Sequence, residues 1–300
     1  MATDITNATD VAVAQGGLGK TVSAAVANFH RAAVTPSLIN MVAAPKGSNV
    51  VQFNVYGKVA TSSVVTETNG TEGTEVNATA LTTSAISATV LRNHLNIRVT
   101  DLAQHANPDN LVVNAGAVAG NTIAAHFDGD VCTLFGSFST EVGGVASSMT
   151  LGVLFDAVSE LEAEDAPRPY NCVLHPLQVY GSMGLSTELG NIQVNQSAGA
   201  LNQGQGVAEE LRANGLVTRL GGVNVYVSAQ VIGTSDDHHG GMFARSGIGC
   251  GFVPKNGGSF IEIATERNEI GAMTHVVCNS YYEVKELIDA HCVEVKTHSS

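Results

Sequence analysis

The sequence predicts a mixed α+β fold, and three observations carry that prediction. Strand-like alternation of apolar and polar residues gathers in separate stretches, from Val50 to Val99 and from Val223 onward, instead of alternating regularly with helices. One long helical pattern, Leu111 to Leu134, lies between them. A polar stretch from Thr61 to Thr83, almost without large apolar residues, separates two of the strands.

Composition sets the outer bounds. The 300 residues are 44% hydrophobic and 14% charged, enough to bury a sizeable core and too apolar for wholesale disorder. Lys and Arg total 14 against 27 Asp and Glu, a formal charge of −13. That balance argues against a surface that grips nucleic-acid phosphates or anionic lipid by charge. No run of about 18 apolar residues exists to span a membrane. The first residues carry Asp4 and Asp10 instead of a basic stretch followed by an apolar one, so no secretory signal is expected. Cys132, Cys172, Cys250, Cys278 and Cys292 are odd in number and never in C-x-x-C spacing. They read as buried free thiols of a soluble protein made in a reducing compartment.

Residues 1–49 are rich in Ala, Thr and Asn and are broken by Pro36 and Pro45, which predicts an extended arm with one short helix around Val22 to Ala33. Val51, Phe53 and Val55 alternate with Gln52, Asn54 and Tyr56 as a half-buried strand. Alternation returns at Leu91, Leu95, Ile97 and Val99, and these two strands are expected to pair as a long hairpin with a polar tip. Asn107-Pro108-Asp109 reads as a helix start, with Asn as cap and Pro at the first helical position. The helix it opens carries an apolar stripe from Leu111 to Leu134, and Gly116, Gly120 and Gly129 mark close packing against a neighbour.

Thr150 caps a second helix bearing Leu151, Leu154, Phe155, Val158 and Leu161, with an acidic solvent face and Pro167 and Pro169 beyond it. Asn171 to Leu174 is a short buried strand, followed by a helical Leu177 to Met183. Residues 186–206 read as a Gly, Asn and Gln loop, and Val207 to Ala213 as a helical turn ended by Asn214-Gly215. Val223, Val225, Val227 and Val231 mark a strand, and further strands are expected at Phe260 to Thr265, Ala272 to Tyr282 and Cys292 to Lys296.

Few residues suggest chemistry. Gln15-Gly16-Gly17-Leu18-Gly19-Lys20-Thr21 resembles the deviant phosphate loop of partition-type ATPases, in which backbone N–H groups and a Lys cradle phosphates. Ala14 stands where that family has Gly, and Gln15 where it has its first Lys. No later apolar strand ends in the Asp that magnesium needs; His126-Phe127-Asp128 lies inside the predicted long helix. Asp236-Asp237-His238-His239 offers metal-ligating types, but with Gly240-Gly241 it reads as a solvated turn. His94 and His105 read as surface or helix-start residues, and His175 as a strand-end residue. There is no Gly-x-Ser-x-Gly nucleophile elbow, and the acidic face from Glu160 to Asp165 has nothing apolar beside it to raise a pKa. No catalytic, cofactor-binding or metal residue is nominated.

The order of elements resembles the major capsid proteins of tailed bacteriophages, with the Hong Kong 97-type fold. Three segments carry the likeness: Leu151 to Leu161 followed by Asn171-Cys172-Val173-Leu174-His175-Pro176; Leu220-Gly221-Gly222-Val223-Asn224-Val225-Tyr226-Val227-Ser228; and Ile261 to Tyr282, turning after Glu266-Arg267-Asn268 and returning through Thr274-His275-Val276-Val277. Asn224 follows Val223 where the family commonly has Pro. The resemblance implies an N-terminal arm at 1–49 and an extended loop at 50–100. It implies a peripheral domain with its spine helix at 101–149, an axial domain at 150–258, and return strands with a final axial strand at 259–300.

The resemblance also implies a non-enzymatic shell protein that self-assembles into hexamers and pentamers around packaged double-stranded DNA. Its location would be the virion, after assembly in the bacterial host cytoplasm, with portal and scaffolding or decoration proteins as partners. DNA would be held by enclosure only, with no cofactor and no membrane. Some relatives cross-link through a loop Lys; here Thr61 to Leu91 has none and Lys58 sits at the base, so no covalent mail is expected. The arm is too short and polar for a fused helical scaffold, so a separate scaffolding protein, or none, is implied. Two alternatives stand: an encapsulin-like compartment shell, and, in a different class, a nucleotide-binding ATPase using Gly16–Thr21.

Overall fold

The computed structural model describes residues 33–64, 78–106, 110–186, 216–220, 222–233, 237–254 and 260–298. Two sheets share one core. The first sheet has five strands: β1 (Asn40–Ala43), β4 (Leu91–Thr100), β10 (Ile248–Phe252), β11 (Ile261–Asn268) and β12 (Met273–Glu286). Its spatial order is β1-β10-β12-β11, with β4 on the other edge of β12. The second has six strands in the order β5 (Glu141–Gly143), β13 (Cys292–His298), β9 (Asp237–Ala244), β6 (Tyr170–Leu174), β8 (Val223–Val227) and β7 (Leu216–Leu220). A two-stranded hairpin, β2 (Val50–Tyr56) with β3 (Thr83–Thr89), stands apart from both.

Among the described residues four α-helices serve these sheets: α1 (Asp101–Ala106), α2 (Leu111–Thr133), α3 (Leu151–Ala163) and α4 (Pro176–Tyr180). At 23 residues α2 is about 35 Å long and crosses the whole inner face of the five-stranded sheet. Val276, Cys278, Ser280 and Tyr282 of β12 are buried on that face, while Met273, His275, Val277 and Tyr281 alternate onto the other. Gly116 and Gly120 face Val276 and Ile263, the close packing expected of them. The N-terminal half of α2 closes a small cluster of Ala119, Ile123 and Cys278. Its C-terminal half enters a larger one, where Phe127, Val131 and Phe135 meet Tyr282 and Cys250 of the first sheet and Val173 and Phe243 of the second. Helices α3 and α4 cover the far face of the six-stranded sheet through Leu154, Leu161 and Val179.

Several elements differ from the sequence expectation. The strand at Val50 pairs with Thr83–Thr89 and not with Leu91–Val99. The misread partner, Thr-Ser-Ala-Ile-Ser-Ala-Thr, is too small and polar to announce itself, yet its Ile86 and Ala88 face Phe53 and Val51 in register. Freed from the hairpin, β4 pairs with β12 along its length. Asp237 to Ala244, whose first residues were expected to form a turn, is an inner strand: two neighbouring strands supply the burial that Gly240 and Gly241 cannot. The long helix is capped by Asn110, whose side chain accepts from Val113 N–H at 3.3 Å; Asn107-Pro108-Asp109 lies outside the described residues.

Other differences are smaller. Strands β1, β5, β7 and β10 were not anticipated, being short or rich in Gly and polar residues. The helix after His175 stops at Tyr180, and the strand from Val223 stops at Val227. The helices expected at Val22 to Ala33 and Val207 to Ala213 lie outside the described residues, apart from Ala33, as does most of the 186–206 loop. The last strand, Cys292–His298, joins the six-stranded sheet.

The hairpin base rests on β10 because β10 offers no side chain there. A Cβ on Gly251 would lie 2.9 Å from Val51 Cβ, and one on Gly249 would lie 2.7 Å from Leu287. Val51, Phe53 and Ala88 are buried against this bare strand. Gly251→Val is therefore expected to lift the hairpin base and cost about 1–3 kcal/mol, read by chemical denaturation. Gly47→Ala, at a turn with no atom near the new Cβ but a φ of +89°, is expected to cost about 1 kcal/mol from backbone strain alone.

Candidate assembly surfaces

The chain segment preceding β1 is tied to α2 by one side chain. Asp128, 4% exposed, accepts from Val34 N–H at 2.9 Å and from Thr35 N–H at 3.0 Å. It also accepts from the Thr35 hydroxyl at 2.6 Å. Leu38 and Ile39 then enter the shared core beside Phe127 and Val131, and β1 adds in parallel to β10. Arg245 donates to the Ile39 carbonyl at 3.3 Å, extending the attachment. Asp128, read in the sequence only as a failed magnesium ligand, is thus the residue that fastens the arm. A buried acid in an apolar helix stripe was the available signal.

The hairpin leaves its apolar side chains uncovered. Tyr56, Val59, Val64 and Leu81 are all exposed, Val64 at 75%. Beyond the small cluster at its base, nothing among the described residues shields them. Lys58, just beyond the Tyr56–Thr83 end of the hairpin, pairs with Asp165 just past the C-terminal end of α3, both side chains being exposed. The Asp165 carboxyl is held below its usual range by that Lys58 bond.

Histidines concentrate at one end of the six-stranded sheet. His175 stacks on His238 with ring centroids 3.7 Å apart and an interplanar angle of 13°. His175 Nδ1 accepts from Leu177 N–H at 3.2 Å, and its own N–H donates to Gln178 Oε1 at 2.9 Å, which caps α4. Gln178 is fully buried and donates to the His238 carbonyl at 2.9 Å and to Thr297 Oγ1 at 2.8 Å. Burial, then the neighbouring His238, lowers the His175 pKa to about 4; burial likewise lowers that of His238. On the opposite face His239 pairs with buried Glu294, and His298 lies 3.6 Å from Asp237. Asp236 is outside the described residues, and among those described no group of three side chains converges as a metal site.

The remaining sequence candidates are structural. Glu162 binds Arg168 and accepts from the Tyr170 hydroxyl at 2.8 Å. His94 sits at 2.9 Å from Asn279, and His105 is exposed in the last turn of α1. All five cysteines are free and buried, and burial raises the pKa of each thiol, that of Cys250 up to about 12. Gly16–Thr21 lies outside the described residues. A cleft of about 340 Å³ between α2 and β12 is lined by His126, Asp130, Tyr282, Glu283 and Lys285. Tyr282 donates to Asp130 at 2.6 Å, His126 lies 3.3 Å from Asp130, and Lys285 pairs with Glu283 at 3.0 Å, so these groups satisfy one another.

No family model matches the sequence, and no curated protein resembles it closely enough in sequence to align. Solved structures do match. The capsid of Ralstonia phage GP4 superposes with a TM-score of 0.67 at 13% identity, covering 94% of this chain and 95% of that one. The capsid of cyanophage P-SCSP1u gives 0.66 at 15% identity, covering 94% and 93%. The holo-SrpI encapsulin complex from Synechococcus elongatus gives 0.63 at 11% identity, covering 97% and 96%. The chain has the Hong Kong 97-type capsid fold.

In a Hong Kong 97-type fold the surfaces to explain are those left uncovered, and among the described residues the hairpin is one of them. Asp128→Ala would strand the Val34 and Thr35 N–H groups. It is expected to cost about 3 kcal/mol and to raise amide exchange at residues 34–43, measured by hydrogen–deuterium exchange. The His175 shift sets a pH dependence. Its folded pKa lies below the unfolded value, so its contribution is complete above about 6.5 and is lost as pH falls through about 4. Thermal melts between those limits are expected to show that loss, and His175→Asn, which keeps a capping acceptor but cannot titrate, is expected to flatten it.

Proposed function

We propose that this chain is a structural major capsid protein that self-assembles into the icosahedral shell enclosing a phage double-stranded DNA genome, without enzymatic activity. One observation carries the reading. On a capsid fold, the hairpin and the loop beyond it project apolar side chains that the described residues do not cover. Val59, Val64 and Leu81 are exposed, their burial against other copies would be favourable, and a closed shell supplies such copies by symmetry. Each contact is weak alone, but closure makes it effectively intramolecular.

In this reading residues 1–49 are the arm and the hairpin β2–β3 is the extended loop, which ends at Thr89 since β4 belongs to the five-stranded sheet. That sheet with α2 as spine helix forms the peripheral domain, and the six-stranded sheet with α3 and α4 forms the axial domain. Copies gather as hexamers and pentamers, with portal and scaffolding or decoration proteins completing the particle in the host cytoplasm. DNA is retained by enclosure: a net charge of −13 gives the wall no general grip on phosphates. Lys58, engaged by Asp165, supports a shell without a covalent loop cross-link.

An encapsulin-like compartment is the second reading, favoured by the encapsulin neighbour of equal coverage. Expression of the chain followed by negative-stain electron microscopy tests both. Closed shells are expected, empty of a dedicated protein cargo; shells that reproducibly copurify an enzyme inside would favour the compartment. Deleting residues 66–79 is expected to leave a soluble subunit that no longer closes shells. A purified chain that binds ATP with micromolar affinity, and loses it on Lys20→Ala, would replace the shell reading with the nucleotide-binding one.

A further inference from the structure

The face of the five-stranded sheet opposite α2 is divided by charge. Arg92, His94 and Arg98 of β4 alternate onto that face. Glu262 and Glu266 of β11 alternate onto the same face at the far side of β12. The register places Arg98, His275 and Glu266 on one cross-strand row, and His94, Asn279 and Glu262 on another. β4 carries no acidic residue, and on this face β11 carries no basic one, since Arg267 pairs with Asp101 on the α2 side.

The two columns do not neutralise each other. Strands lie about 4.8 Å apart, so β4 and β11 are separated by about 10 Å, roughly a Debye length at physiological salt. The basic column is held in place: Asn279 Oδ1 accepts from Arg92 Nε at 3.0 Å and Nη2 at 2.8 Å, and lies 2.9 Å from His94 Nδ1. Among the described residues the side chains of Arg98, Glu262 and Glu266 make no hydrogen bond or ion pair. The outer backbone edges of β4 and β11 are also unpaired within the described sheet.

We infer that the β4 column of one copy docks against the β11 column of the next, a heterologous contact between two copies of this chain. The inference rests on the shell reading and assigns that shell one of its contacts. Charge complementarity names the occupant. Each chain carries one column of each sign at opposite edges of one sheet face, so copies related by rotation present opposite columns to each other. A nucleic acid would be attracted by the first column and repelled by the second about 10 Å away, on a chain already at −13. The hairpin base covers the same face only near β10, leaving both columns open.

The test uses the full chain and three variants, Arg98→Glu, Glu266→Arg and the double exchange. Particle yield by electron microscopy and sedimentation is the readout at about 0.15 M salt. Each single variant is expected to lower yield about tenfold or more by facing like charges across the contact, and the double exchange to restore it. Melting temperatures of the unassembled singles are expected to match wild type; a lowered value would mean the charges act within one sheet and would overturn the contact. Normal shells from both singles would overturn this pairing while leaving the shell reading intact. Failure of wild type to assemble under every condition tried would overturn both.

Discussion

The buried carboxylate of Asp128 is the point on which the architecture turns. A charged group in an apolar core is stable only when its lone pairs are filled, and here the backbone of Val34 and Thr35 and the Thr35 hydroxyl fill them. The bond therefore runs in both directions. The arm gains a fixed point without having a core of its own, and α2 gains a partner without which its stripe would be broken by an unpaired acid. Immediately beside it, Phe127 packs edge-on to Tyr282, with centroids 4.8 Å apart, and lies 5.3 Å from Phe260. The arm, both sheets and the long helix converge within one turn of α2, so displacing the arm disturbs the joint between the sheets.

That joint explains how the two sheets keep their arrangement. The shared cluster draws Phe243 and Val173 from one sheet and Cys250 and Tyr282 from the other, so the two sheets are bound through side chains and not by a common strand. Such a junction is stiff, since packed aromatic groups resist small rotations, yet it leaves both sheets with open faces. The hairpin uses the same economy. It sits on β10 only because Gly249 and Gly251 remove the side chains that would hold it away.

What was legible in the sequence follows the size of the side chains. The alternation of Val51, Phe53 and Val55, the stripe of α2 and the Thr150 cap of α3 announced themselves because burial of large groups dominates their local energetics. Strand β3, with Ser, Ala and Thr, is defined by its partner across the hairpin and not by its own pattern. Strand β9 was obscured by Asp237, His238 and His239, which are polar yet engaged across the fold: His239 with Glu294, Asp237 with His298, and His238 stacked on His175, although its Nδ1 has no hydrogen-bond partner among the described residues. Polar residues satisfied by long-range partners look like a turn until those partners are known.

The surfaces were the least legible, and the reason is physical. A site for a small molecule needs converging groups, and sequence spacing can hint at convergence. An assembly surface needs only that something be left uncovered, which is a property of the finished fold. Val64 and Leu81 are unremarkable apolar residues in a polar stretch until the structure shows that no part of the described chain shields them. Likewise Arg98 and Glu266 are ordinary strand residues until the register sets them on one row, with His275 between them. On the shell reading, the informative residues are those that the described chain leaves unsatisfied.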